Sequence, residues 1–524
     1  MLGLQEQDLV EAGWPSEPAV IAALMREAEA LEAKGINDRS YALKLLARKF
    51  PLPESAPGMR SAPLEFAEAI RAESEEEEKN LGAVRRFMGE LMRCPVVERG
   101  VILPDACPAG GEEASIPVGG AIAARRAILP GAHGSDICCS LYATFFQSRR
   151  QPSELLDDIM SVTRFGPGGR PVHDRVNHSV LEEPVWANRF LKGLEEHARA
   201  HLADQGDGNH FAFLGEISWG EGEFATLDAA GHVQFAKALR ENRETGRRTL
   251  ALVTHHGSRG LGAHVFKRGL QAAVKQTAKE AGGIPEAAAW LSLDSPEGQA
   301  YWEALQYVSR WTLANHQCIH DRFLAVSGSD RVFAFGNEHN FVWQRGELFY
   351  HGKGATPAWP DEAGRPRLGL VPLNMSSPVL LVLGENREDC LSFAPHGAGR
   401  NLSRRALVRT FEEPSGRIDT AAMEVALRNS TNGIDVRWFL GQPDFAESPL
   451  AYKSPEKVRS QIEAFGLARV VGGILPLGSI MAGRQVRGID EELTPKQERQ
   501  LQHRSERRRQ KQGLRQEVWS DQDE

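Results

Sequence analysis

Apolar residues recur at helical spacing early in the chain. In SEPAVIAALMREAEALEAKG the residues Val20, Ile21, Leu24, Ala28 and Leu31 fall on one face, Ser16 is placed to cap, Pro18 lies near the first turn and Gly35 ends the pattern. The same texture extends through a mostly helical preface over residues 1–95, in which the run Glu75 to Glu78 reads as a solvated helix face. From about residue 96 the texture changes to short β-rich stretches. Stretches such as VVERGVILPDACPAG, IPVGGAIAARRAILPGAHGSDICCSLYATFF and RRTLALVTHHGSRGLG are β-rich and broken by Gly and Pro. Residues 294–318 predict a helix, with Ser295 as cap, Pro296 at the first helical position, and Leu305, Val308, Trp311 and Thr312 on one side. Strands then return at RVFAFGNEHNFVWQ, GELFYHGKGA and PVLLVLG. Strands and helices do not alternate as regular βαβ units, so the expected class is α+β, a mixed core of sheets paired over long distances with flanking helices. Three regions are expected: a helical extension over 1–95, a β-rich main domain over 96–486 and a basic tail over 487–524.

Composition narrows the class. The chain has 524 residues, 41% hydrophobic and 25% charged, which excludes wholesale disorder and fibrous repeats. Its 62 Lys and Arg against 70 Asp and Glu leave a net charge of −8, so bulk charge cannot coat nucleic acid and any polyanion must meet a local basic patch. One such patch is residues 496–515, with eight Lys/Arg against two Glu. The N-terminus lacks the basic and apolar regions of a secretory signal, and no apolar run reaches the ~20 residues of a membrane span, so a cytoplasmic protein with no membrane contact is expected. Six cysteines, two of them adjacent at Cys138 and Cys139, suit a reduced compartment and a metal or catalytic role better than a disulfide framework.

The residues able to carry chemistry sit in five loop-like punctuations beside strands. Asp136 and Cys139 lie in GSDICCS, Asn209 and His210 in GDGNHF, His255 in THHGSRGLG, His339 in NEHN and His396 in APHGAGR. A carboxylate, a thiolate and imidazoles form a mixed hard and soft donor set, which suits Mn, Fe, Co or Zn better than Mg or Ca. Adjacent strand residues point to opposite faces, so only one of Cys138 and Cys139 is expected to reach a given ion. Arg259 and Arg400, in Gly-rich motifs, are candidates to bind phosphate oxygens.

Taken in order, LPDA (103–106), IPVGG (116–120), DICC (136–139), GDGNHF (206–211), HHGSRGLG (255–262), EGQAYWEA with AN (297–315), HN (339–340), HGKGAT (351–356), HGAGR (396–400) and AYK (451–453) resemble the RtcB family of RNA-splicing and RNA-repair ligases. The resemblance spans roughly residues 96–482. It implies an enzyme that joins an RNA end bearing a 3′-phosphate or 2′,3′-cyclic phosphate to a 5′-hydroxyl end, using Mn and GTP through a covalent histidine–guanylate. It further implies that Cys139 bridges two ions, one completed by Asp136 and His210, the other by His255 and His339. By the same resemblance His396 is the nucleophile, Asp105 orients it, and Asn209, Gly397, Gly399, Arg400 and Tyr452 contact the nucleotide. The implied partners are RNA with broken ends, a nucleoside triphosphate and an archease-like activator, with the enzyme a monomer.

The sequence departs from the family pattern in two groups of positions. Phe213 stands where the family has a carboxylate and Met481 where it has a lysine, both used there for guanine, and the serine-rich PGSMGTAS loop has become PLNMSSPV; guanine selection is therefore expected to weaken, because a site that discriminates by buried hydrogen bonds needs those partners. Cys107, Ser140, His256, His316 and Gly352 replace a histidine, a glycine, a small hydroxyl residue and two arginines, at positions expected near RNA or phosphate. Two alternatives from other classes are a metal-dependent phosphoesterase that cannot charge its histidine, and an RNA-end-binding module with a vestigial centre.

Overall fold

The computed structural model describes residues 2–12, 14, 18–50, 58–108, 114–415 and 418–485. The basic tail expected over 487–524, and the Ser16 cap, lie outside the described residues.

The main sheet runs Leu368–Pro372, Val379–Gly384, Ala468–Met481, Phe211–Ile217, Thr249–His256, Ser140–Gln147 and Asp330–Glu338, each antiparallel to its neighbour, with Asp435–Trp438 added in parallel beside Ala468–Met481. Its central strands TLALVTHH and SLYATFFQ read as continuous runs because both faces are covered. Leu141, Ala143, Phe145, Ala251 and Val253 pack on one side with Phe213 and Phe235, while Phe146, Leu250 and Leu252 pack on the other with Leu156 and Phe323. A second sheet joins Ala67–Glu68, Val97–Cys107, Val118–Arg125, Leu348–Lys353 and Asn340–Arg345, and a two-stranded ribbon pairs Ala355–Pro357 with Phe393–Pro395. The class is α+β, as the pattern predicts.

The helix expected over 294–318 runs Pro296–Ser327. Ser295 accepts from the Gly298 amide at 3.0 Å and Pro296 opens the first turn, as expected. It continues because Ile319 and Phe323 keep the buried stripe going, and it stops where Gly328 takes a left-handed φ of +62°. The helix Glu75–Leu91 buries Leu81, Val84, Met88 and Leu91 with Val97 and Ile102 of the strand Val97–Cys107, so residues before 96 share a core with residues after it. Glu75 to Glu78 form its first turn, where negative charge favours the helix N-terminus. The helices Glu6–Glu11, Pro18–Ala33 and Arg39–Lys49 bury an apolar cluster of their own around Leu9, Leu24 and Leu46. Among the described residues no helix is long and apolar enough to cross a membrane.

Candidate metal centre and His396 cleft

In an antiparallel sheet neighbouring strands reverse, so the start of one strand lies beside the end of the next. Ser140 pairs with His256 and with Glu338, and Phe211 pairs with His255. The loops before Ser140 and Phe211 and those after Thr249–His256 and Asp330–Glu338 therefore meet at one end of the sheet. There Cys139 Sγ lies 3.2 Å from His255 Nε2 and 3.7 Å from His210 Nε2. His255 Nε2 lies 3.1 Å from His339 Nε2, and His210 Nε2 lies 3.0 Å from Asp136 Oδ2. Two groups able to hold a metal ion result, Asp136 with Cys139 and His210, and Cys139 with His255 and His339, so Cys139 belongs to both.

The turn from Asp136 to Cys139 sorts the two thiols. Cys138 adopts φ +58° and its amide donates to the Asn340 carbonyl at 2.8 Å, which leaves its side chain in an apolar cluster with Ile137 and Leu261 while Cys139 joins the histidines. The His339 amide donates to the Cys139 carbonyl at 2.9 Å. Gly257 is required at its position because a Cβ there would overlap the Asp136 carboxylate.

The donor set fits a cation. The His255 Nδ1–H faces the Asn209 carbonyl at 3.3 Å, which leaves the Nε2 lone pair turned into the cluster. Burial, with His210 and His396 as neighbours, lowers His255 to about 3, and burial lowers His339 as well, so both imidazoles are neutral ligands at neutral pH. Desolvation opposes the charge on Asp136, but the charge and hydrogen bond of His210, helped by Cys139 and His255, bring it to about 2. Burial and the neighbouring Asp136 push the Cys139 thiol well up; a bound cation would reverse that.

His396 follows the strand Phe393–Pro395 and reaches the same place, its ring centroid 4.8 Å from that of His339. Its Nδ1 lies 2.6 Å from Asp105 Oδ2 and 2.9 Å from the Gly354 carbonyl, and its amide donates to Asp105 Oδ2 at 3.2 Å. Both partners of Nδ1 accept, so Nδ1 carries the proton and Nε2 the lone pair. Gly354, at φ +68°, permits the contact, since a Cβ there would come within 2.8 Å of His396 Nδ1. Asp105 is fully buried, and Lys453 Nζ clamps its strand by donating to the Pro104 and Ala106 carbonyls at 2.9 and 2.8 Å.

His396 opens on a cavity of about 370 Å³ lined also by Asn209, Gly397, Gly399, Arg400 and Tyr452. Phe213 and Met481 line it too, with Met375 and Val379, so part of its wall is apolar. The Arg400 guanidinium is engaged: it donates to the Ala446 and Leu402 carbonyls at 2.7 and 3.1 Å and stacks over Tyr452 at 5.1 Å. Sequence reasoning missed Glu447. Its buried carboxylate accepts from Arg404 Nη2 at 2.7 Å and from the Tyr452 hydroxyl at 3.0 Å. Nothing in GQPDFAESP distinguishes this glutamate from a surface acid, since only the tertiary fold buries it.

Three of the departures expected near RNA or phosphate, Ser140, His256 and His316, are buried. His256 and His316 stack at a centroid separation of 3.5 Å, and His316 Nε2 lies 3.0 Å from Ser140 Oγ, so the three substitutions touch one another. Both histidines are buried, and His316 with Ser140 lines a separate cavity. Gly352 lies in the strand Leu348–Lys353, where a Cβ would press on the Ala355 carbonyl at 2.8 Å and leave no room for a side chain.

Comparison with known proteins agrees with this arrangement of motifs. The family model described as "tRNA-splicing ligase RtcB" matches residues 89–482. A tRNA-splicing ligase RtcB of Thermococcus kodakarensis is 27% identical over 457 residues, covering 72% of this chain and 86% of its own length. That of Aeropyrum pernix is 25% identical over 487 residues, 82% of this chain and 96% of its own. That of Pyrobaculum aerophilum is 27% identical over 449 residues, 72% of this chain and 87% of its own. The family model alone covers most of the chain: this protein belongs to the RtcB family.

Proposed function

We propose that the chain is an RNA ligase that joins 3′-phosphate or 2′,3′-cyclic-phosphate ends to 5′-hydroxyl ends in tRNA splicing or RNA repair, through a nucleotide held covalently on His396. The observation that carries this reading is the pair of acceptors around His396 Nδ1, which fixes the proton there and frees Nε2 as a nucleophile facing the cavity. Attack of Nε2 on the α-phosphorus of a nucleoside triphosphate forms the N–P bond and releases pyrophosphate. Asp105 stabilises the charge that develops on the ring. Two Mn²⁺ ions would be held, one by Asp136, Cys139 and His210, the other by Cys139, His255 and His339, and would neutralise charge on the reacting phosphates. GTP is the donor by family likeness, with Asn209, Gly397, Gly399, Arg400 and Tyr452 about it, while Phe213 and Met481 offer the base apolar contact in place of an acceptor and a cation. In this reading residues 96–486 form the catalytic unit, 1–95 an extension and 487–524 a basic tail, in a cytoplasmic monomer served by an archease-like activator.

A phosphoesterase would leave the Asp105–His396 pair without a task. The test is a joining assay with one RNA ending in a 2′,3′-cyclic phosphate and another beginning with a 5′-hydroxyl, in Mn²⁺ and GTP or each other NTP. Joined RNA supports the ligase; hydrolysed ends with no joined product in any nucleotide favour the phosphoesterase.

A further inference from the structure

Away from the Cys139 centre, three histidines from two helices converge at the surface. His197 and His201 are four residues apart on the helix Glu195–His201, with rings parallel to within 8° and centroids 6.5 Å apart. His264 comes from the facing helix Arg259–Glu280, and its ring centroid lies 4.7 Å from that of His197. The absence of a side chain at residue 260 leaves space between the rings. A Cβ at Gly260 would stand 3.6 Å from His197 Nδ1 and 3.9 Å from His201 Nε2, so two ring nitrogens from separate turns border one small gap.

The chemistry of the gap is that of a ligand site. Asp204, fully buried, meets His201 Nδ1 at 2.8 Å. A carboxylate on one imidazole nitrogen fixes the tautomer and makes the other a better donor, which is how metal-bound histidines are commonly held. His201 Nε2 is thereby presented to the gap as a lone pair. His197 and His264 are exposed, so an ion reaches them from solution without opening the fold. Burial and the two neighbouring histidines hold His197 below its usual range, toward the neutral form that ligates. Arg268, whose charge also reaches His197, is occupied by the Phe190 and Lys192 carbonyls at 2.9 and 3.0 Å.

We propose that His197, His201 and His264 form a separate surface site for one late first-row divalent cation, Zn²⁺ being the type ion, with water completing the coordination. An all-imidazole set suits such ions and lacks the thiolate and carboxylate of the Cys139 centre. The rings are more open than that centre, since the only described groups whose ligand atoms all lie within 4.8 Å of one another are the two at Cys139. Exposed side chains close such a gap by rotation. The ion would tie the two helices together, and through Asp204 it would meet the motif loop before His210: Asp204 Oδ1 accepts from the Gly206 amide at 3.0 Å, and its main chain exchanges hydrogen bonds with the Asn315 side chain.

The experiment uses the full chain carrying Cys139→Ala, so that the other centre contributes least, equilibrated with Zn²⁺ alone and assayed for bound metal and thermal unfolding. One Zn²⁺ per chain is expected, with a rise in Tm as for any ligand that binds only the folded state. His197→Ala and His264→Ala should each weaken that binding by about tenfold or more. Gly260→Ala keeps all three histidines and folds, because its methyl makes ordinary contacts, but fills the gap and should remove the ion as well. No bound Zn²⁺, or binding unchanged by His197→Ala, His264→Ala and Gly260→Ala, overturns the proposal. The same variants in the Cys139-containing chain should lose one Zn²⁺ and keep Mn²⁺; loss of Mn²⁺ together with Zn²⁺ would show general unfolding and sink the assignment.

Discussion

His255 and His256 are adjacent on one strand and face opposite chemistry. His255 gives one nitrogen to the Asn209 carbonyl and turns the other toward Cys139 and His339, where ligand atoms crowd together. His256 stacks on His316 with its Nδ1 near the Gly257 carbonyl and Asn315 Nδ2, each at 3.3 Å, and its buried Nε2 without a hydrogen-bond partner; the satisfied histidines are the next two, His316 and His320. His316 meets Thr254 Oγ1 at 2.6 Å and Ser140 Oγ at 3.0 Å, and His320 meets Thr254 Oγ1 and Thr144 Oγ1, each at 2.8 Å. Side chains of one type therefore serve two ends according to what their second nitrogen meets. Where hydroxyls satisfy both nitrogens the histidine is structure; where lone pairs converge on one another the arrangement is incomplete without a cation.

The contrast can be broken at either pole, and the largest effect belongs to the converging one. Cys139→Ala should empty both ion positions and abolish nucleotide transfer, because that sulfur is common to both groups; retention of two Mn²⁺ by metal analysis would refute the shared role. Asp105→Ala should slow formation of the covalent nucleotide by roughly 10²-fold, since the wrong His396 tautomer becomes accessible, while metal content stays constant. An unchanged rate removes Asp105 from the account. At the satisfied pole, His316→Ala should cost roughly 2–3 kcal/mol by opening a cavity and removing a partner of Ser140 and one of the two partners of Thr254, with metal content preserved in the folded fraction. Denaturant titration with metal analysis checks both halves.

A further expected outcome is a pH dependence away from the Cys139 cluster. Burial lowers His133 to about 4, and His320 and His351 to about 3. The folded state keeps these groups neutral, whereas the unfolded chain protonates them below about 6.5. Their contribution is intact above about pH 6.5 and is lost as pH falls from there toward 3, at roughly 1.4 kcal/mol per pH unit for each histidine. Replacing His320 with Asn should flatten the slope of unfolding free energy against pH by about one proton. An unaltered slope would mean that His320 is already charged in the fold.

The converging pole was legible in the sequence through its motifs: Asp136, Cys139, His210 and His339 flank strands, His255 lies at the end of one, and antiparallel pairing brings those ends together. The satisfied pole was not. Ser140, His256 and His316 belong to a strand start, a strand end and a helix interior, and only the packed fold shows that they touch. Glu447 escaped for the same reason, as did the last turns of Pro296–Ser327, whose end is set by Gly328 rather than by a change in periodicity. Helix starts were clearer than helix ends because Ser-Pro caps are local signals.

The central claim is that His396 Nε2 is a nucleophile because Asp105 and Gly354 hold the proton on Nδ1. Intact-protein mass measurement after incubation with Mn²⁺ and each of the four NTPs tests it most directly. The account predicts a single added nucleoside monophosphate that is absent from His396→Ala at unchanged metal content. An adduct that persists in His396→Ala, or no adduct with any NTP in metal-loaded protein, would contradict it.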